Sequence, residues 1–468
     1  MKIKLFIFLI AMTLLAAGCT LAPKYERPAA PVPTEWPKGA AYQAPESAAG
    51  APMAADLKWR EFFTDEKLQK VIETALSNNR DLRLAVLNME RARALYGIQR
   101  AELLPVVSAT GDWIRQRVPA DLSTTGTPMT IDQYDATLGI TAWELDFFGR
   151  IRSLKDQALE QYFSTEQTRR SFQILLVSSV ANAYLALAAD RENLDLAAST
   201  LEAQETTYKL IRKRSDVGLS SDLDLRRAQS QVDAARGDVA RFTQVVAQDE
   251  NALSLLVGAP LPPELVPADL SGISPVEEIS PGLSSEVLLH RPDVLAAEHQ
   301  LKAANANIGA ARAAFFPRIT LTAAVGTASA ELSNLFRSGQ ETWLFAPQIV
   351  APIFDARTWS AYDVTKVDKE IAIAGYEKAI QTAFREVADA LAVRGTVKRQ
   401  MAAQQSLVYA VSETHRLSNA RYLKGIDNYL SVLDAQRSLY TAQQGLIATH
   451  LAQLSNLVTL YKVLGGSE

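Results

Sequence analysis

The sequence has few of the residues that build disulfides, metal sites or nucleotide sites. One cysteine in 468 residues leaves no partner for a disulfide within the chain. The four histidines, His290, His299, His415 and His450, lack the spacing of metal ligands. The 48 Lys and Arg residues, against 52 Asp and Glu, form no dense basic block, which argues against nucleic-acid binding. The GxSxG, HExxH, Walker A and GxGxxG motifs are also missing, so we expect a protein that is not an enzyme and has no cofactor or metal.

Proline is missing from three long stretches of the chain, residues 53–104, 129–259 and 353–468. Because proline in a helix interior costs about 3 kcal/mol, such stretches permit very long helices. The helical pattern continues without a break from about Arg152 to Arg214, which at 1.5 Å per residue is about 95 Å. Apolar residues recur every seven positions in this run, as in a coiled coil: Val180, Leu187, Leu194, Leu201 and Tyr208. The pattern argues against a compact α/β enzyme with frequent turns.

Residues 1–18 have the features of a secretory signal peptide, with Lys2 and Lys4 before an apolar stretch too short to span a bilayer. The small residues before Cys19 resemble a bacterial lipobox, although Ala16 stands where leucine is usual. We therefore expect Cys19 to carry diacylglycerol and an N-acyl chain such as palmitate. Thr20, rather than Asp, resembles the residue that directs lipoproteins to the outer membrane. The alternative is an ordinary signal peptide with an incidental cysteine.

The chain contains two related halves. Residues 100–105 match 312–317 at an offset of 212, and further along Gly218 matches Gly425 at an offset of 207. The order of the matches is preserved, so we expect an internal duplication. The expected organisation comprises, in order, a signal peptide (1–18), a lipid-anchored extended segment (19–56), a first repeat of helix, two strands and helical hairpin (57–260), a Pro-rich connection (261–282), and a second repeat (283–468).

Each half contains segments with a period of two, which is typical of β-strands. In the first, Tyr134, Ala136, Leu138, Ile140 and Ala142 fall on one face. In the second, the alternation covers residues 319–325, and the flanking candidates are 106–118 and 343–353. This predicts four strands of about 10–13 residues, long enough to span a membrane. Aromatic residues that suit a membrane interface lie at or near the strand ends: Trp113, Tyr134, Trp143 and Trp343.

Four strands cannot close a barrel, and open strand edges are not tolerated in lipid. If the strands span a membrane, several chains must share one barrel, and three copies would supply 12 strands. A small soluble sandwich of two β-hairpins is the alternative. No stretch after the signal peptide has 18 consecutive apolar residues, so we expect no transmembrane helix.

Glycines mark a turn between the last two helices of each half. Gly218 and Gly425 fit the position just after a helix end, where glycine accepts a left-handed backbone. Ser221 or Asp222 fits the N-cap of the next helix in the first half. These turns are the predicted tips of two helical hairpins.

Seven segments spread over nearly the whole mature chain carry a family resemblance: 59–63, 79–82, 141–150, 291–293, 303–317, 376–381 and 428–437. With these segments the sequence resembles TolC-like outer-membrane factors, most closely the OprM-like branch of RND multidrug efflux lipoproteins. By this resemblance the 261–282 connection belongs to an equatorial region that surrounds a helical tube. The resemblance implies a mainly α protein with a membrane β-barrel. It also implies a homotrimer with a 12-stranded barrel, four strands per chain, and a long helical barrel of coiled-coil hairpins reaching into the periplasm.

The function implied by this resemblance is a passive exit duct in the outer membrane for drugs or other small toxic compounds. Its implied partners are a periplasmic adaptor, or membrane fusion protein, and an inner-membrane RND-type pump. By the same resemblance, Leu430 and Asp434 constrict the periplasmic end, and their i,i+4 spacing places them on one face of a helix. Polar links that hold the tip closed are expected near Arg421, Tyr422 and Asp427, and the matching tip of the first half contains weaker candidates, Asp222 and Asp224.

Three alternatives remain at this point. An exit duct for type I protein secretion belongs to the same family but serves exported proteins. A periplasmic adaptor also joins a helical hairpin to β-structure, although it normally has one hairpin and no duplication. A lipid-anchored coiled-coil stalk without a pore is the alternative from a different class.

Overall fold

The computed structural model describes residues 20–42, 57–273 and 284–466, so the predicted signal peptide and Cys19 lie outside the described residues. Long helices dominate this part of the chain, and one β-sheet accompanies them. The helices are α1 (Trp59–Phe62), α2 (Glu66–Asn78), α3 (Arg80–Ala101), α4 (Arg150–Asp216), α5 (Asp222–Val257), α6 (Pro292–Ala313), α7 (Ala356–Leu423) and α8 (Tyr429–Val463). The strands are β1 (Val107–Val118), β2 (Met129–Glu144), β3 (Arg318–Ser329) and β4 (Glu341–Val350).

The two longest helices occupy the proline-free stretches, as predicted. Helix α4 has 67 residues and α7 has 68, which corresponds to about 100 Å each. Of the heptad positions in α4, Val180 and Leu187 are fully buried, and the three that follow are partly buried. One 18-residue window of α4 is apolar enough to cross a membrane by length and composition alone, and 61% of that window is buried inside the chain, as in a core helix.

The strands form a single antiparallel sheet in the order β1-β2-β3-β4. The two hairpins lie side by side because β2 pairs with β3, for example Leu138 with Val325. The prediction of four strands is confirmed, and a sandwich of two stacked hairpins does not describe this sheet. Within the described residues, the outer edges of β1 and β4 have no strand partner.

The strand register gives the sheet one apolar and one polar face. The apolar face presents Val107, Ala109, Trp113, Tyr134, Leu138, Ile140, Leu321, Val325, Trp343, Phe345 and Ile349. The other face presents mainly polar residues, Ser108, Thr110, Asp112, Asp135, Thr137, Thr320, Thr322 and Gln348, together with the apolar Ile114, Ile131, Leu344 and Val350. On the polar face, the Thr110 and Thr137 hydroxyls lie 2.7 Å apart across the two strands. Because strand side chains alternate between faces, this two-sided pattern follows directly from the period of two in the sequence.

A β-bulge near the end of β2 corrects one sequence-based expectation. Ile140 pairs with Ala323 but Trp143 pairs with Leu321, so β2 contains one extra residue between these pairs. The alternation predicted Ala142 on the apolar face, whereas the bulge places Trp143 there. Ala142 has a φ of 51°, and its N–H donates to the Thr322 hydroxyl at 3.1 Å. The strict alternation fails here because a bulge shifts the register by one residue.

By its contacts the chain divides into two compact units, the first of which contains described residues 20–29, 89–165 and 296–376. Here helix α6 binds the extended N-terminal segment. Asn305 donates to the Pro23 carbonyl at 2.7 Å, and Arg312 donates to the Leu21 carbonyl at 3.1 Å. A Cβ at Gly309 would lie 2.7 Å from the backbone nitrogen of Ala22. Much of the 303–317 motif therefore serves to bind this segment.

A buried carboxylate, Glu298 on α6, fixes the same segment. Arg27 donates to both of its carboxylate oxygens, at 3.1 and 2.8 Å, and Tyr25 donates to it at 3.1 Å. Lys302 lies 3.2 Å away. Burial alone would raise the pKa of Glu298, but the hydrogen bonds from Lys302 and Arg27 hold that pKa below its usual range.

The junction between β2 and α4 is held by two carboxylates of the 141–150 motif. Glu144 accepts from both Nε and Nη2 of Arg150, at 2.9 and 2.8 Å, and it also pairs with Arg318. Asp146 caps α4 by accepting from the backbone N–H groups of residues 151 and 152. The carboxylates of this motif therefore have structural roles at the strand-to-helix transition.

The second unit contains described residues 30–42, 57–88, 166–273, 284–295 and 377–466. Phe62 stacks on Tyr461 with ring centroids 4.3 Å apart, which packs α1 against the end of α8. Arg291 donates to the Val463 carbonyl at 2.8 Å and to Glu386 at 2.8 Å, and it also pairs with Asp293. These contacts bind the start of α6 to α7 and α8 within this unit.

Candidate gate at the hairpin tips

Both predicted hairpin tips end their first helix with the same hydrogen-bond pattern. In the turn after α4, the Leu219 N–H donates to the Arg214 carbonyl at 2.8 Å, and the Gly218 N–H donates to Ser215 at 2.9 Å. In the turn after α7, the N–H groups of residues 426 and 425 donate to residues 421 and 422 at 3.0 and 2.9 Å. Gly218 and Gly425 have φ values of 76° and 75°. Both turns are Schellman motifs, which require the left-handed conformation that glycine accepts most readily.

The helix that follows each tip begins with a side-chain cap. The Ser221 hydroxyl accepts from the Asp224 N–H at 3.1 Å, so Ser221 and not Asp222 is the N-cap of α5. Asn428 accepts from the Ser431 N–H at 3.3 Å at the start of α8. The Asp224 carboxylate accepts from the Ser221 hydroxyl at 2.8 Å, whereas the Asp222 side chain is exposed. Asp224 is therefore engaged in the cap, and Asp222 is free to face solvent.

Leu430 and Asp434 lie one turn apart in the first two turns of α8, and both are exposed. Leu430 has 41% of its surface exposed although it is a large apolar side chain. Asp434 makes no hydrogen bond or ion pair with any residue that the structure describes. The buried residues of these two turns are Tyr429, Val432, Leu433 and Ala435. Leu430 and Asp434 therefore project away from the packing of their own chain.

An ion pair spans the second tip. Arg421 at the end of α7 donates from Nε and Nη2 to the two carboxylate oxygens of Asp427, at 2.6 and 3.1 Å. The Arg421 guanidinium lowers the pKa of Asp427 below its usual range. Both side chains belong to the same turn, so the pair fixes the turn itself.

Tyr429 joins the two hairpins through a small apolar cluster. Its side chain is 1% exposed and packs with Ile211 of α4 and Ala228 of α5, as well as with Val432 and Leu433 of its own helix. No hydrogen-bond partner for its hydroxyl occurs among the described residues. Burial, followed by the neighbouring Tyr422, raises the pKa of Tyr429 to about 12.

Two further contacts cross between the hairpins at this level. The Arg214 guanidinium of α4 lies 5.3 Å from the centre of the Tyr422 ring, which itself lies 5.4 Å from the Tyr429 ring of the same hairpin. Two turns further along α8, Arg437 donates to the Gln231 side chain of α5 at 3.3 Å. The tips are thus held together by an apolar cluster and by the Arg214 guanidinium that packs on the Tyr422 ring.

Comparison with known proteins places this geometry in a family. The sequence profile described as outer membrane efflux protein matches residues 71–259 and 283–466. The toluene efflux pump outer membrane protein TtgC of Pseudomonas putida is 50% identical over 465 residues, which cover 99% of this chain and 96% of TtgC. The chain belongs to the outer membrane efflux protein family.

Two further comparisons agree with this assignment. The antibiotic efflux pump outer membrane protein ArpC of Pseudomonas putida is also 50% identical over 465 residues, which cover 99% of this chain and 96% of ArpC. The crystal structure of the open state of the Neisseria gonorrhoeae MtrE outer membrane channel matches with a TM-score of 0.85 and 39% identity, covering 96% of this chain and 98% of that chain.

This outer membrane efflux protein is therefore a transport channel of the outer membrane and not an enzyme. The family assignment excludes the periplasmic adaptor and the stalk without a pore. Among the described residues, no group of three His, Cys, Asp or Glu side chains is arranged to hold a metal ion.

Sequence reasoning about this efflux protein missed the apolar contact at the tips. The Tyr422 ring packs between Tyr429 and Arg214, and the polar link expected near Tyr422 stays a prediction. Tyr429 was not singled out, although Tyr208 in the heptad pattern gave a partial signal, since it packs against the same cluster. Which face of α8 is buried depends on the neighbouring hairpin, and the sequence does not specify that directly.

Proposed function

We propose that three copies of this chain form one passive exit duct, gated at the hairpin tips, through which small toxic compounds leave the periplasm. The names of the relatives support this substrate class, since TtgC is named for toluene efflux and ArpC for antibiotic efflux. In this proposal the substrate crosses a water-filled lumen, and the inner-membrane pump supplies the energy for transport.

The observation that carries the proposal is a two-faced sheet with two open edges. A backbone edge exposed to lipid leaves N–H and C=O groups unsatisfied, so the four strands need partners from other copies. When β4 of one copy pairs with β1 of the next, three copies close 12 strands with the apolar face toward lipid and the polar face toward the lumen.

The helices adjoining the two edges also have unpartnered apolar residues. Helix α3 leads into β1 and exposes Leu95 and Ile98, which are 49% and 65% exposed. Helix α7 follows β4 and exposes Val364, Val367 and Ile371, which are 57%, 57% and 64% exposed. Pairing of β4 with the next copy's β1 brings these helices together, and burial of the two stripes would stabilise the homotrimer.

The two halves of the chain support a duplicated origin, with repeats over 57–260 and 283–468 joined by the Pro-rich 261–282 connection. The first half contains helices of 67 and 36 residues after its strands, and the second contains helices of 68 and 35. In a trimer the two hairpins per copy supply six hairpins for a helical tube.

The gate in this proposal consists of Leu430 and Asp434. Both are exposed on one face of α8, so three symmetry-related copies would form an apolar ring one turn from a carboxylate ring. The ion pair between Arg421 and Asp427 keeps the turn in shape, and Tyr422 helps to hold the hairpins together through the Arg214 guanidinium. The carboxylates of the other tip, Asp222 and Asp224, are secondary candidates.

The proposed partners are a periplasmic adaptor and an inner-membrane RND-type pump. Exposed apolar residues at both turns support adaptor docking at the tips: Val217 is 68% exposed, Leu219 70% and Ile426 58%. Cys19, modified with diacylglycerol and an N-acyl chain, is the proposed membrane anchor. A Cys19→Ala variant that still incorporates labelled palmitate would rule that anchor out.

The gate is tested by single-channel conductance of the purified protein in planar bilayers. We expect Asp434→Ala, alone or with Leu430→Ala, to raise conductance and to admit large antibiotics in cells that lack the pump. Asp195→Ala, an exposed carboxylate in the middle of α4, is the control and should leave conductance unchanged. Equal conductance in wild type and the double variant would count against the gate.

A further inference from the structure

We propose that Arg115 and Arg117, at the end of β1 away from the helices, form a binding site for the phosphate groups of an anionic lipid in the outer leaflet. This inference depends on the proposed function, because it takes the apolar face of the sheet to be the lipid-facing one. The ligand class is a phosphate-bearing glycolipid such as lipid A.

The strand register places both arginines on the lipid-facing side. Trp113 pairs with Tyr134, Arg115 with Asp132, and Arg117 with Thr130. Since side chains alternate along a strand, Arg115 and Arg117 share the face of Trp113 and of the apolar residues nearer the helices. Gln116, between them, lies on the polar face.

The position along the strand places these arginines at the outer rim of the membrane. Helices lie at one end of the sheet and the loops 119–128 and 330–340 at the other, which is the extracellular end in a channel that extends into the periplasm. Trp113 and Tyr134 stack with centroids 6.0 Å apart, as aromatic residues do at a membrane interface. A lipid-facing arginine costs about 2–4 kcal/mol at the bilayer midplane and about 0–1 near the interface. The two arginines therefore lie beyond the aromatic pair, at headgroup level.

The local charges leave the guanidinium groups available. Asp132 is the carboxylate opposite them: it accepts from the Trp113 indole at 3.1 Å and lies 3.8 Å from Arg115. Glu341 of β4 lies on the same face, and its carboxylate accepts from the Gly339 N–H at 3.2 Å. Arg117 has no ion-pair partner among the described residues. Glu341 lies three strands away from β1 in the sheet, so within one chain the two guanidinium groups face one carboxylate, that of Asp132. Two positive charges beside one negative charge leave a local charge of +1.

The chemistry of the two side chains suits a phosphorylated lipid. Guanidinium groups bind phosphate oxygens through two parallel N–H donors. Residues two apart on a strand are separated by about 7 Å, so the two arginines can contact two phosphate oxygens or two phosphates of one headgroup. The apolar face beside them provides a surface for the acyl chains of the same lipid.

The experiment measures binding of diphosphoryl lipid A to the full-length purified channel by native mass spectrometry. We expect Arg115→Gln/Arg117→Gln to weaken binding at least about tenfold, which corresponds to 1.4 kcal/mol. A dephosphorylated lipid A should bind weakly to wild type, and inorganic phosphate at matched concentration should not compete. Equal binding by the double variant, or by the dephosphorylated lipid, would overturn the proposal. Effective competition by inorganic phosphate would assign the site to free phosphate and would also overturn it.

A charge-neutral control separates the lipid-facing site from general attraction. Gln116→Arg combined with Arg117→Gln keeps the net charge and moves one guanidinium to the opposite face. We expect this swap to lose binding, whereas retention at the wild-type level would show that only net charge matters. Conductance is measured on the same preparations. Wild type without pores would overturn the proposed function, while normal pores with unchanged lipid binding would overturn only this inference.

Discussion

Truncation of Tyr429 should open the hairpin tips. This side chain is 1% exposed and packs in one buried cluster with Ile211 and Ala228, one from each helix of the other hairpin. Tyr429→Ala removes the ring and leaves a cavity between the hairpins. Tyr429→Phe removes only the hydroxyl, which has no hydrogen-bond partner among the described residues. The two variants therefore separate the packing of the ring from the chemistry of its polar atom.

The expected magnitude follows from the packing of the ring. Replacing a fully buried aromatic residue by alanine costs about 3–5 kcal/mol. Tyr429 contacts its own helix through Val432 and Leu433 as well as the other hairpin. If about half of the loss applies to contacts between hairpins, the closed arrangement is weakened by about 2 kcal/mol, a shift of roughly thirtyfold in the ratio of open to closed tips. Tyr429→Phe should change that ratio by less than about twofold, because removing an unpaired buried hydroxyl is nearly neutral.

The assay is single-channel conductance of each purified variant, together with uptake of a large antibiotic by cells without the pump. We expect Tyr429→Ala to show frequent high-conductance openings and increased uptake, and Tyr429→Phe to match wild type. Circular dichroism and gel mobility establish that each variant is folded and assembled. A folded, assembled Tyr429→Ala variant with wild-type conductance would refute the idea that this cluster holds the tips closed.

Three further predictions concern stability, measured as the apparent Tm of the purified protein. Burial and the neighbouring Asp190 carboxylate raise the pKa of Asp249 to about 6, so the native protein is stabilised as the pH falls from about 6 toward 4. Asp249→Asn should therefore stabilise the protein by about 1 kcal/mol at about pH 8 after solvent screening, seen as a higher Tm, and should have little effect at about pH 3.5, where Asp249 is mostly protonated in both states. An equal effect at both pH values would contradict this. Arg291→Met should lower stability by about 3 kcal/mol, because it leaves two carboxylates and a carbonyl without their hydrogen-bond donor at a site where the arginine is only 9% exposed. An unchanged Tm would show that these contacts are not needed. Gly258→Ala should destabilise by at least about 1–2 kcal/mol, since φ is 75° and the new Cβ would lie 2.6 Å from a carbonyl at the end of α2; Gly97→Ala, with no atom within 4 Å, is the control and should be neutral or stabilising.

The long helices could be predicted because their signals are local. Proline is missing over 129–259 and 353–468, and glycine with a left-handed backbone ends the first helix of each hairpin. These features act within a few residues of the chain, so they can be read without knowledge of any neighbour. The strand faces were predictable for the same reason, since alternation along 319–325 fixes which side chains share a face.

The bulge in β2 could not be predicted, because it depends on pairing with another strand. Ala142 leaves the alternation only because β3 offers the Thr322 hydroxyl to its N–H and pairs Leu321 with Trp143. Trp143 is therefore the aromatic residue on the apolar face at this end of β2. A sequence pattern within β2 contains no information about that partner.

The candidate gate was predictable only in part. The resemblance to a family pointed to Leu430 and Asp434, and their i,i+4 spacing placed them on one face of a helix. Helices α4 and α5, which lie more than 170 residues earlier in the chain, decide which side of α8 is buried. They cover Tyr429 and leave Leu430 and Asp434 exposed within the same chain.

The sequence by itself determined where helices run and end, which strand residues share a face, and which family the chain resembles, because each depends on local backbone preferences or on residue identity. Tertiary structure decided the order of the strands and the bulge. It also decided that Glu298 holds the N-terminal segment and that Tyr429 holds the tips. These features depend on which surfaces meet, and side chains distant in sequence acquire a partner only when the chain folds.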